Sequence, residues 1–101
     1  AIGPSFVTSS SITNPNSLTI QCSIFRNKEL IFKDDSSTSL MSRGFVSLKK
    51  WLTKSNTVPD MTTFLTGTPI IPPPEFSLLE GDLVQISITD IGTLENRVVT
   101  V

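Results

Sequence analysis

The chain has 101 residues, 38% of them hydrophobic and 17% charged, with eight Lys/Arg set against nine Asp/Glu and no histidine. That length supports one domain with one modest core, and a net charge of −1 offers no basic field to attract nucleic acid or an anionic membrane. No apolar run approaches a membrane-spanning length, and AIGPSFVTSS at the start has neither the basic nor the apolar segment of a secretory signal. The lone cysteine, Cys22, can form no internal disulfide, which suits a reducing setting inside the cell.

Taken in chain order, Ser17 to Phe25 alternates well. Leu18, Ile20, Cys22 and Ile24 fall on one side and Thr19, Gln21 and Ser23 on the other, the period of a half-buried strand. Arg26-Asn27-Lys28-Glu29 supplies turn residues, and Leu30-Ile31-Phe32 continues as the partner strand of a hairpin. Asp34 through Ser39 reads as a polar break rich in helix-capping residues. Met41, Phe45, Leu48 and Leu52 then recur at helical spacing, predicting an amphipathic helix from about Ser39 to Lys54 with Trp51 at the core or an interface. Gly44 inside that helix costs about 1 kcal/mol relative to alanine, and Lys49, Lys50 and Lys54 late in it suit the helix dipole.

The chain is expected to turn from Ser55 to Asp60, run as a short buried strand from Met61 to Leu65 and enter Thr66-Gly67-Thr68-Pro69. Ile70-Ile71-Pro72-Pro73-Pro74 reads as a stiff extended loop, because three prolines fix φ and remove donors. Glu80-Gly81-Asp82 turns into a strand from Leu83 to Thr89, with Val84, Ile86 and Ile88 on one face. Asp90-Ile91-Gly92 closes a second hairpin onto Thr93 to Val101. The total is about six strands and one helix, a mainly β fold.

Thr66-Gly67-Thr68-Pro69 is the strongest site candidate. Glycine lets the backbone approach a ligand closely, and the flanking hydroxyls and amides can hold a carboxylate or enolate oxygen; taken alone, the tetrapeptide is also an ordinary strand-ending turn. Cys22, alternating with apolar neighbours and without a histidine to activate it, reads as packing. The many serines cannot form a Ser-His-Asp triad. Asp34-Asp35 and Glu80-Gly81-Asp82 read as solvated turns, since a metal needs ligands converging from more than one segment.

The order LTGTP (Leu65 to Pro69), then FSLLEGDLVQISITDIGTLENRVV (Phe76 to Val99), resembles the C-terminal part of the fumarylacetoacetate hydrolase family. Ile2-Gly3-Pro4 with Val7-Thr8 is similar to that family's GP-x-x-VT segment, and Ser37-Thr38 through Met41 to its NT-x-x-M segment. Two stretches depart from the pattern: Ile70 to Pro74 stands where a small glycine-rich turn is usual, and Pro59-Asp60-Met61-Thr62 where Pro-Gly-Asp is usual. The resemblance implies a mixed β-sheet roll, a homodimer in the cytoplasm or mitochondrion, and a small anionic oxo-acid substrate. The implied chemistry is hydrolytic C–C cleavage, or the related decarboxylation or isomerisation, with Mg²⁺ (or Mn²⁺ or Ca²⁺) polarising the substrate.

Within that scheme Gly67 and Thr68 would line the substrate pocket. The family's carboxylate ligands, a Glu-x-Glu pair and an aspartate, precede the Gly-Pro segment, so residues 1–101 are expected to be an N-terminally incomplete single segment. No catalytic residue and no metal or other cofactor is expected in this chain alone. The alternative is a non-catalytic remnant or dimerising scaffold of the same fold.

Overall fold

The computed structural model describes residues 1–101. Four strands, β1 (Thr19–Arg26), β2 (Glu29–Ser37), β3 (Leu83–Ile88) and β4 (Gly92–Arg97), form one sheet in the order β2-β1-β3-β4. All three pairings are antiparallel. One helix, α1 (Phe45–Thr53), and three single 3₁₀ turns complete the regular structure. The fold is therefore mainly β with one helix, with four strands in place of the expected six.

The alternation read from the sequence sets the faces of the sheet. Register places Ile20, Cys22 and Ile24 of β1 opposite Ile88, Ile86 and Val84 of β3, so the two apolar rows share one face. Gln21 and Ser23 share the other face with Ser87 and Gln85. There the pairing is polar: the Ser87 and Thr93 hydroxyls lie 2.7 Å apart, and Gln85 Nε2 donates to Glu95 Oε1 at 2.5 Å. Asn27 and Lys28 both take positive φ (50° and 70°), the geometry that matches a two-residue turn to the twist of its strands. Ile31 is the extra residue of a bulge opposite Ile24 and Phe25.

β2 runs further than Leu30 to Phe32. Asp34 and Asp35, expected in a polar break, are paired strand residues opposite Cys22 and Gln21; the β1 ladder supplies backbone partners that outweigh their turn preference. The expected helix from Ser39 to Lys54 shortens to Phe45–Thr53. Ser37 accepts a bond from the Ser39 N–H and starts a 3₁₀ turn over Thr38–Leu40 instead. Gly44 is the N-cap in an extended conformation, not an interior residue, so the interior-glycine penalty does not arise. Serine at 39 and 42 with glycine at 44 offers the preceding turn little helix propensity. Trp51 is not in the core: it is 60% exposed, with Lys54 Nζ 4.8 Å from its ring centroid.

Met61 to Leu65 is not a buried strand. It pairs with nothing, Met61 sits at φ 63°, and Met61 is 86% exposed. A hydroxyl bond from Thr62 to the Pro59 carbonyl at 2.7 Å turns the backbone there. The proline-bearing loop behaves as expected: it carries no strand, its Ile70 is buried, and Phe76 at its end packs on Phe32 with ring centroids 5.7 Å apart.

Only Leu18, Ser23, Ile24, Ile70 and Asp82 are buried. The accessible surface is 7901 Å², against about 5,600 Å² for a compact monomer of this mass. The radius of gyration is 15.6 Å, against about 12.7 Å for a compact domain of this length. The apolar rows of the sheet are thus only partly covered by the chain's own residues. No helix is long and apolar enough to cross a membrane.

Candidate functional site

A cleft of about 340 Å³ brings together three stretches that are far apart in sequence. Ile20 comes from β1. Ser37 and Thr38 come from the end of β2, followed by Leu40, Met41, Ser42 and Arg43 on the approach to α1, and by Phe45 and Leu48 from the helix. The third stretch is Thr66-Gly67-Thr68-Pro69. The two segments singled out in the sequence, Ser37 to Met41 and Thr66 to Pro69, therefore face one cavity. Its size is at the small end of the range for ligand pockets.

The hydroxyls around this cleft are not equivalent. Thr38 Oγ1 donates to the Pro15 carbonyl at 2.7 Å and accepts from the Leu18 N–H at 2.9 Å, so it fastens the chain ahead of β1 to the end of β2. Thr68 Oγ1 accepts from the Ile70 N–H at 3.2 Å and lies 3.4 Å from the Ile70 carbonyl, a local turn of the kind short hydroxyl side chains make. Ser42 and Thr66 make no hydrogen bond within the chain through their hydroxyls. Gly67 takes φ +90°, and a Cβ there would meet nothing within 4 Å; glycine is required by the backbone conformation, and the space beside it is open.

Sequence reasoning missed Arg43. It is the single ionisable residue lining the cleft, is exposed, and makes no ion pair or hydrogen bond with another residue. Nothing within a few positions marks it out, because Thr66 to Pro69, which lines the cleft with it, lies more than twenty residues downstream.

The other charged cluster is structural. Arg26, the last residue of β1, donates from Nε and Nη2 to the two carboxylate oxygens of Asp82 at 2.9 and 2.8 Å, and from Nη2 to the Ser77 carbonyl at 3.0 Å. The Leu79 N–H adds a bond to Asp82 Oδ2 at 2.9 Å. Asp82 is 1% exposed. The Arg26 guanidinium, aided by the Leu79 N–H, holds its carboxyl down to about 2, and the same pairing raises Arg26. Burial, with Asp34 across the ladder, pushes the Cys22 thiol up, which disfavours a nucleophilic thiolate.

The residues present do not fit the magnesium implied by the resemblance. No three Asp, Glu, Cys or His side chains come together, and Asp82, the one fully buried acid, is committed to Arg26. Asp34 and Asp35 are successive strand residues and so point to opposite faces of the sheet.

Residues 1–99 match the family model described as the C-terminal domain of fumarylacetoacetate (FAA) hydrolase. A probable 2-keto-3-deoxyxylonate dehydratase of Haloferax volcanii is 43% identical over the whole chain, which covers 35% of that protein. A 2-dehydro-3-deoxy-D-arabinonate dehydratase of Saccharolobus solfataricus is 39% identical over 93% of the chain and 32% of its own length. The mitochondrial oxaloacetate tautomerase of Xenopus laevis is 33% identical over 97% of the chain and 31% of its length. Among solved structures, 2-keto-3-deoxy-D-arabinonate dehydratase complexed with magnesium and 2,5-dioxopentanoate superposes with a TM-score of 0.87 at 37% identity, over 90% of this chain and 32% of that one. The chain thus spans about a third of the length of these relatives.

Proposed function

This chain belongs to the fumarylacetoacetate hydrolase family, and on that footing we propose that it is the C-terminal part of an enzyme acting on a small anionic 2-oxo acid, with Gly67 and Thr68 at its substrate cleft. The reaction we propose first is dehydration of a 3-deoxy-2-oxo sugar acid. The observation that carries the reading is the meeting of Ser37–Met41 with Thr66–Pro69 around one hydroxyl-rich cleft of about 340 Å³, a volume suited to a molecule of a few carbons. The relatives at 43% and 39% identity are named as dehydratases of such acids.

Tautomerisation is the second reading, favoured by the oxaloacetate tautomerase at 33% identity. Hydrolytic C–C cleavage, the reaction in the family's description, stands beside it. All three pass through a carbanion next to the 2-oxo group, stabilised as an enolate. This chain's own part is to receive the anionic end of the substrate and fix its orientation, so that reacting atoms are held in position. The Gly67 backbone allows close approach, and Thr68, through Ile70, holds the turn. Magnesium, manganese or calcium would draw its ligands from residues other than these, and no step proposed here runs through a metal. The proposal includes an intracellular setting, cytoplasmic or mitochondrial; the Xenopus relative is named as mitochondrial. A purely dimerising scaffold is the non-catalytic alternative, favoured by the uncovered apolar surface.

The full-length protein containing this chain should be incubated with 2-keto-3-deoxy-D-arabinonate, which is the same compound as 2-keto-3-deoxy-D-xylonate, with 2,5-dioxopentanoate followed as product, and in parallel with enol-oxaloacetate and an acylpyruvate. Turnover of a 3-deoxy-2-oxo acid is the expected result. Turnover of oxaloacetate or the acylpyruvate alone would replace dehydration with tautomerisation or cleavage. Inertness toward all of them, in a folded dimer, would favour the scaffold.

A further inference from the structure

The cleft holds one charge, and it is free. Its remaining polar lining is made of hydroxyls: Ser37, Thr38, Ser42, Thr66 and Thr68. Of these, Ser37, Thr38 and Thr68 already bond within the chain. Arg43, Ser42 and Thr66 have no side-chain partner within the chain, and all three residues line the same cavity although 23 positions separate Arg43 from Thr66. A guanidinium presents a planar fork of donors that fits a carboxylate in two parallel bonds. Free hydroxyls suit the alcohol oxygens of a sugar acid, as donor and acceptor at once.

We propose that Arg43 is the residue that selects a carboxylate in this cleft, with Ser42 and Thr66 contacting the hydroxyls beside it. This rests on the reading of the cleft as a 2-oxo-acid site, and adds a binding residue outside the Gly-Thr-Pro turn. Its consequence is a preference of the cleft for acids over their neutral derivatives.

The test uses the full-length protein and measures binding and turnover separately. Calorimetric titration with 2-oxopentanoate and with 2-oxopentanamide, isosteric and neutral, gives the acid preference without any need for turnover. Wild type should favour the acid. Arg43→Met should weaken acid binding about ten- to hundredfold and leave the amide within about threefold, and Arg43→Lys should recover part of the loss. With 2-keto-3-deoxyxylonate, Arg43→Met should raise KM by a similar factor with little change in kcat, and Ser42→Ala should act on the hydroxylated acid more than on 2-oxopentanoate. Equal losses for acid and amide, or acid binding unchanged in Arg43→Met, would overturn the assignment. A wild-type protein that binds the acid through Arg43 yet turns over no 2-oxo acid would refute the proposed reaction and leave the assignment of Arg43 standing.

Discussion

Thr68 is the residue where the sequence and the structure suggest different roles, and Thr68→Val separates them. The substitution keeps the volume nearly constant and removes the hydroxyl. In the structure that oxygen is the acceptor for the Ile70 N–H at 3.2 Å, and Ile70 is 7% exposed. Leaving a buried donor unpaired costs about 1–3 kcal/mol, so Thr68→Val should lower unfolding stability by that amount in urea denaturation of the full-length protein, with an unchanged slope. If the same oxygen also contacts a charged substrate oxygen, a further tenfold to hundredfold loss in kcat/KM follows, from about 1.5–3 kcal/mol at about 1.4 kcal/mol per decade. Thr68→Ser keeps the hydroxyl and should restore both quantities. A stability loss with kcat/KM held within threefold would make Thr68 a turn-holding residue and remove it from the substrate contacts. A valine variant as stable and as active as wild type would refute the reasoning on both counts.

Two further outcomes follow from the buried ion pair and the open sheet face. Ionised Asp82, with its carboxyl held at about 2 against about 3.9 in an unfolded chain, contributes stability that is fully present above pH 4 and is lost as pH falls toward 2. Asp82→Asn should therefore melt lower than wild type at neutral pH, and the gap should narrow between pH 4 and 2; a gap independent of pH across that window would show that the carboxylate charge is not what matters. The isolated 101-residue chain should associate, by sedimentation, into dimers or larger species, because its surface exceeds that of a compact monomer and its strand edges at β2 and β4 are open. A monodisperse monomer with a sharp thermal transition would contradict this.

Local pattern determined much of the fold. The alternation through Ile20, Cys22 and Ile24 and through Val84, Ile86 and Ile88 depends only on neighbours two residues away, and both segments are strands with those rows on one face. The Asn27-Lys28 turn was legible for the same reason, as were the proline-bearing loop, the Ser37–Met41 and Thr66–Pro69 motifs and the second hairpin turn at Asp90-Ile91, although Gly92, expected in that turn, is the first residue of β4. Helical spacing from Met41 onward was a weaker guide. A 3₁₀ turn capped by Ser37 competed for its first residues, and the approach to the helix became one wall of the cleft. Met61 to Leu65 looked like a strand by composition, but a strand exists only where another supplies its hydrogen-bond partners, and none does here. What the tertiary structure alone decided were the encounters between distant residues: Arg26 with Asp82 across 56 positions, and the unpaired Arg43 on the same cleft as Thr66 and Thr68. Side-chain charge and burial at such sites depend on which strands the sheet brings side by side, and that adjacency is set by the packing of the whole chain rather than by any spacing along it.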